Sequence, residues 1–136
     1  MLDDNRIPLM RFRLNKAKEC LDDAENALES GSLLTSVNRA YYCILHAMRA
    51  VLAIDRFDSK KHMGVIAAFR QKYIKTGIFP MELSNTIRDA YDSRGNSDYE
   101  DFFEMSCEDA AKQVESAKAF FAAIETFLAE TDNGSS

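Results

Sequence analysis

Five side chains between residues 38 and 49 carry groups that bind and move charge. They are the Asn38 amide, the Arg39 and Arg49 guanidiniums, the Tyr42 phenol and the His46 imidazole. On a helix, at about 100° per residue, Asn38, Tyr42 and Arg49 fall within a narrow arc, with Arg39 and His46 at its edge. A helix face that only meets water would carry Lys and Glu there. These groups instead imply a hydrogen-bonded layer, which is either a polar seam between helices or a binding site. The other side of the same run reads as core: Val37, Tyr41, Ile44, Met48 and Val51, flanked by Ala40 and Ala47.

A second group of chemically capable residues follows. Lys60, Lys61, His62, Arg70, Lys72 and Lys75 make this the most basic part of the chain, suited either to contacting phosphates or to solvation. The whole chain is acidic, with 17 Lys and Arg against 22 Asp and Glu and a net charge of −5. General attraction to nucleic acid is therefore weak, and any RNA contact must rest on a local patch. Cys20, Cys43 and Cys107 are odd in number and widely spaced, with no CxxC pair, and are expected to be buried, reduced thiols rather than metal ligands. No Gly-rich phosphate loop, HExxH or nucleophile elbow occurs, so neither a metal nor another cofactor is expected.

These groups must be positioned by helices. The chain has 136 residues, 46% of them hydrophobic, with five Gly, two Pro and no alternating β-branched runs. That predicts one all-α domain over residues 1–130. Ile7, Met10, Leu14, Ala17, Leu21, Ala24 and Leu28 keep a 3-4 spacing and predict a first helix over residues 5–30. Gly31 stops it, Ser32 caps the next, and the short connection makes an antiparallel hairpin. The second helix is expected over residues 33–54, the third over 60–75, and a fourth from Pro80 through Tyr91 to a stop at Gly95 and Asn96. Ser106 opens a fifth helix with a capping-box form, and Cys107, Ala110, Val114, Ala117, Phe121, Ile124 and Leu128 carry its stripe to about Glu130. The residues after 130 are expected to be a disordered tail. Phe120, Phe127 and the Phe102–Phe103 pair exceed what a small core needs, so part of this aromatic surface is expected at a homodimer interface. The acidic start Met1-Leu2-Asp3-Asp4 predicts no signal peptide, and no membrane span is evident. Together these predict a cytoplasmic protein.

The run Asn38-Arg39-Ala40-Tyr41-Tyr42, with Gly31, His46, Arg49-Ala50, Lys61-His62, Gly77 and Arg94, resembles the HEPN domain, in particular its small stand-alone bacterial and archaeal form. The similarity spans about residues 5–130. It implies an up-and-down antiparallel bundle of about five helices. It also implies a toxin–antitoxin component paired with a minimal nucleotidyltransferase and a metal-independent ribonuclease site at a dimer interface. In such members an Arg, four to six residues and then a His form the site near the end of the fourth helix. The Arg stabilises phosphate charge and the His moves protons. Arg94 matches that Arg. Its partner position holds Tyr99 instead, with Asp98 just before it, and no His follows. The resemblance thus implies Arg94, Asp98 and Tyr99 as the catalytic group, in degenerate form. Tyr99 also lies near where some nucleotidyltransferase partners modify a Tyr of the toxin. Arg39–His46 and Arg56–His62 share only the loose spacing and are not assigned. Two outcomes stay open. One is an altered ribonuclease whose His46 or His62 folds toward Arg94 and Tyr42. The other is a non-catalytic helical module binding a partner protein, a nucleotide or RNA.

Overall fold

The helix that carries the Asn-Arg-Ala-Tyr-Tyr run is buried on almost every side, and the rest of the chain is arranged to bury it. A computed structural model describes residues 5–99 and 105–134. Among these, five α-helices form an all-α bundle: α1 (Arg6–Glu29), α2 (Leu33–Leu52), α3 (His62–Phe69), α4 (Met81–Tyr99) and α5 (Cys107–Gly134). Twelve of the twenty residues of α2 are buried. It packs against α1, α3, α4 and α5, so it is the central element, as its two-sided character predicts. Tyr41, Ile44, Met48 and Val51 are its fully buried large side chains, together with Leu52 and Val37.

The α1–α2 hairpin is set by Gly31. Its φ of +80° is the left-handed conformation that a Cβ disfavours. The Gly31 amide donates to the Leu28 carbonyl at 3.1 Å and the Ser32 amide to the Ala27 carbonyl at 2.8 Å, the paired bonds of a glycine-terminated helix. Ser32 makes no side-chain cap. Ser36 instead ties the hairpin together, its buried hydroxyl donating to the Ala24 carbonyl at 2.8 Å.

Four expectations change. The second α-helix ends at Leu52 and closes in a 3-10 turn, Ala53–Asp55, with Arg56 left-handed at φ 57°. The third begins at His62 and passes into a wide π-turn, Arg70–Ile74, so Lys60 and Lys61 precede it. The fourth runs through Gly95 and Asn96 to Tyr99, because one Gly costs a helix only about 1 kcal/mol, which packing readily offsets. The fifth continues to Gly134, with the Thr131 hydroxyl donating to the Phe127 carbonyl.

Part of the aromatic excess packs within the chain. Phe120 is fully buried, and Phe127 packs on Tyr73 and Phe79 with ring centroids 5.9 and 5.1 Å away. Phe120 thus belongs to the core of the chain, and Phe127 packs partly buried against it. Phe102 and Phe103 lie outside the described residues. Cys20 and Cys43 are buried, whereas Cys107, the first residue of α5, is exposed. The Ser106 hydroxyl accepts from the Asp109 amide at 3.0 Å and caps that helix. Among the described residues no helix is long and apolar enough to cross a membrane.

Candidate functional site

Three separate elements bring their polar groups to one place. α2 supplies adjacent Tyr41 and Tyr42, α3 its first residue His62, and α4 its late residue Arg94. Because consecutive helical residues point about 100° apart, Tyr41 turns inward and is fully buried while Tyr42 stays half-buried at the edge. The Tyr41 hydroxyl lies 2.9 Å from His62 Nδ1. The Arg94 guanidinium lies 5.4 Å from the centre of the Tyr41 ring and 5.9 Å from that of Tyr42, and donates a long 3.5 Å hydrogen bond to the Tyr42 hydroxyl. Arg39 comes from the other side of the sequence run. Its guanidinium is 5.0 Å from the Tyr42 ring, fixed by two donations to the Asn38 side-chain oxygen at 3.1 and 2.8 Å. Tyr42 therefore carries two guanidiniums on one ring, a cationic setting in an acidic protein.

Both histidines border Tyr42. The His62 ring centre is 5.7 Å from that of Tyr42, and the His46 ring centre 6.2 Å. Burial, then Arg94 and Arg49, hold the His62 imidazole below its usual range, so it is neutral at pH 7. Burial pushes His46 down to about 4, helped by Arg49, Lys16, Arg39 and His62. The Nδ1 of His46 is sealed from water and has no hydrogen-bond partner among the described residues. Burial pushes the Tyr41 hydroxyl up to about 12, against the pull of Arg94, so it stays protonated. In either tautomer of His62, Nε2 is the nitrogen that Tyr41 leaves to other partners. If Tyr41 donates to Nδ1, Nε2–H is a donor; if Nδ1–H donates to Tyr41, Nε2 is a bare base.

Next to this cluster is a cleft of about 340 Å³ between α2, the 53–61 connection and the start of α3. Leu45 and Val65 form its apolar floor, Tyr42, His46 and His62 its ring-bearing wall, and Arg49 and Lys60 its cationic rim. Asp58 also lines it and holds Arg49 at 3.1 Å. Burial pushes the Asp58 carboxyl up, but the Ser59 amide, Arg49 and Arg13 outweigh that and hold it below the usual carboxylate range.

The polar layer expected on α2 thus divides. Asn38, Arg39, Tyr42 and His46 face the Arg94–His62 cluster and its cleft, while Arg49 is engaged with Asp58. His62, which could have been a solvated imidazole beside Lys60 and Lys61, is turned onto Tyr41. Arg94 is part of the cluster. The side chains of Asp98 and Tyr99, at the end of α4, lie outside what is described, so the cluster is built without them. Arg13 was not anticipated. Buried on α1, it donates to the Arg49 carbonyl at 3.0 Å and pairs with Asp58 at 3.2 Å, bracing the cleft rim from behind. Its one sequence signal is a position beside the apolar stripe, between Met10 and Leu14.

Known proteins are similar in sequence over most of the length of the chain. A "UPF0332 protein" of Thermotoga maritima is 32% identical over 88% of this chain and 91% of its own. A Methanocaldococcus jannaschii protein named "Putative toxin" is 30% identical over 85% of this chain and 78% of its own. A "UPF0332 protein" of Archaeoglobus fulgidus is 32% identical over 82% and 88%. The HEPN domain family matches residues 10–127, a span that runs from α1 into the last turns of α5 and contains the whole Tyr41–Tyr42–His62–Arg94 cluster. The chain belongs to the HEPN domain family.

Proposed function

We infer that this protein is a toxin-type HEPN component that cleaves RNA without a metal, using Arg94 and His62 as a composite substitute for the missing Arg–His motif. The observation that carries the reading is the convergence of these two side chains, 32 residues apart in sequence, on the Tyr41–Tyr42 pair. The toxin name of the Methanocaldococcus relative supports the same class.

The chemistry follows from the groups. Arg94 holds a non-bridging phosphate oxygen and stabilises the charge that builds there. His62 Nε2, bare when Nδ1–H donates to Tyr41, takes the proton of the 2′-hydroxyl. The 2′-oxygen bonds to phosphorus, the bond from phosphorus to the 5′-oxygen breaks, that oxygen takes up a proton from water, and His62 returns its own to the solvent. The products are a 2′,3′-cyclic phosphate and a 5′-hydroxyl. Tyr42, whose oxygen accepts from Arg94, has its own hydrogen free to donate to the phosphate.

The test is expression in a growing culture without any partner, with RNA integrity read beside growth. Growth arrest with RNA cleavage is expected, and both Arg94→Ala and His62→Ala should abolish it while circular dichroism stays helical. A folded wild-type protein that leaves RNA intact overturns the reading in favour of a helical module that binds a partner protein, a nucleotide or RNA. The resemblance adds a minimal nucleotidyltransferase as antitoxin, a homodimer as the active form and the cytoplasm as its place of action. Co-expression of such a transferase should restore growth, and light scattering should give twice the chain mass.

A further inference from the structure

His62 is the first residue of α3, so its place depends on the chain that leads into that helix. Residues 56–61 belong to no helix. The chain leaves α2 through the 3-10 turn and reverses at the left-handed Arg56. It is tied back at Phe57, whose amide donates to the Leu52 carbonyl at 3.1 Å. From there to α3, side chains take over the work of the backbone.

Asp58 is the anchor. Its carboxylate accepts from Arg49 at 3.1 and 3.2 Å and pairs with Arg13 at 3.2 Å, so α2 and α1 hold it at once. It also accepts from the Ser59 amide at 2.8 Å. The Ser59 hydroxyl oxygen in turn accepts from the Lys61 amide at 3.2 Å, one residue before His62. Gly64, in the first turn of α3, leaves room for this, because a Cβ there would strike the Ser59 side chain. A continuous series of contacts thus runs from two long helices to the imidazole that meets Tyr41.

Stability alone does not account for this anchor. The Asp58 side chain is half-exposed, and ion pairs in such a setting contribute little. Arg13 is nevertheless buried to reach it, against the repulsion of Arg49, and burying a guanidinium is costly. What the arrangement does return is a fixed path for the connection.

We propose that Asp58 is a positioning residue for His62: gripped by Arg13 and Arg49, it fixes the connection through Ser59 so that His62 keeps its Nδ1 on the Tyr41 hydroxyl. Its value to RNA cleavage rests on the ribonuclease reading, but its hold on the imidazole does not.

The experiment follows the His62 Hε1 resonance of the purified full chain through a pH titration, in wild type and in Asp58→Ala. The sequence has two histidines, and His46→Phe tells which signal is which. The groups that face His62 are Tyr41, Tyr42, His46 and Arg49 from α2, Arg94 from α4, and Asp58 and Lys60 from its own connection. Positioning and simple charge give opposite signs. If Asp58 places the ring, its loss lets His62 leave its seat beside Arg94, and the midpoint rises toward the ordinary value of about 6.5. If Asp58 is only a nearby negative charge, its loss leaves Arg49 unopposed and the midpoint falls further. A rise is expected. A fall or an unchanged value overturns the proposal. Should Asp58→Ala not fold, Ser59→Ala changes no charge and decides by the same sign. Where the wild type cleaves RNA, Asp58→Ala should lower kcat by roughly ten-fold or more with KM little changed, as a displaced base implies. A raised midpoint with no wild-type cleavage removes the ribonuclease reading and leaves the positioning role, whereas cleavage with an unmoved midpoint does the reverse.

Discussion

Two clusters of rings sit on this bundle, built from nearly the same residue types and put to different ends. Phe69, Tyr73, Phe79, Phe120 and Phe127 contact one another at centroid separations between 5.1 and 6.2 Å, and Phe69 and Phe120 are fully buried. Its single phenol, Tyr73, donates at 2.8 Å to Asp55, and burial and that carboxylate hold its pKa above the ordinary range. The Tyr41–Tyr42–Tyr91 cluster instead takes in two imidazoles and has guanidiniums against its rings. The first cluster is buried except at Phe127, and its one phenol is satisfied. The second stays half-buried, with cations gathered and a ring nitrogen unmatched, an arrangement that a purely structural core would have no reason to keep.

Substitutions can break this contrast. The largest effect is expected from Phe69→Ala, which should cost about 3–5 kcal/mol of stability in denaturant unfolding. A loss under about 1 kcal/mol would mean that this cluster is not the core. Arg94→Ala should do the opposite. It should slow RNA cleavage by roughly 10²-fold or more, about 2.7 kcal/mol in the barrier, while leaving the unfolding midpoint almost unchanged. Arg94→Lys should not rescue it, because an ammonium lacks the planar fork that grips two oxygens.

A matched pair sharpens the comparison. Tyr41→Phe and Tyr73→Phe each delete one hydroxyl hydrogen bond and should each cost about 0.5–1.5 kcal/mol of stability. Only Tyr41→Phe should also change cleavage and its pH profile, since only that hydroxyl sets the His62 ring. Equal effects of the two on catalysis would erase the distinction between the clusters. The smallest effect concerns acid. His46 has a folded pKa of about 4, below the ordinary histidine value of about 6.5. Between these values the unfolded chain binds the extra proton, so the stability that His46 contributes is full above about pH 6.5 and is lost as pH falls toward 4. His46→Phe should flatten that limb of the stability profile, which denaturant melts at successive pH values would read.

Much of the scaffold was legible because helical periodicity is a local property. The 3-4 stripes of α1 and α5 and the core face of α2 need only neighbouring residues to be read, and the turn at Gly31 announces itself by residue type. The candidate site was half legible. Tyr42 and His46 stood out as chemically odd on their helix, but their meeting with His62 and Arg94 depends on how three helices pack, which no local window contains. The stop assigned to Gly95 gave too much weight to punctuation, since helix propensity is a weak preference that packing overrides. The packing of Phe127 was hidden for a related reason. Its ring partners, Tyr73 and Phe79, lie in the π-turn and in the connection after it, where the stripe pattern fails.

That π-turn, Arg70–Ile74, has a consequence for how the chain can vary. A wide turn is an α-helix with one residue too many, stored where five residues do the work of four. Its Lys75 amide reaches back to the Arg70 carbonyl at 2.8 Å, and its far end delivers Tyr73 and Ile74 to the interior. Gln71 and Lys72 are its exposed members. Removing Gln71 should let the ladder tighten into ordinary helix while His62, nine residues upstream, keeps its place on Tyr41. The length of the chain can thus change by one at this point without disturbing the chemistry, and the bundle has an expansion joint between its site and its core.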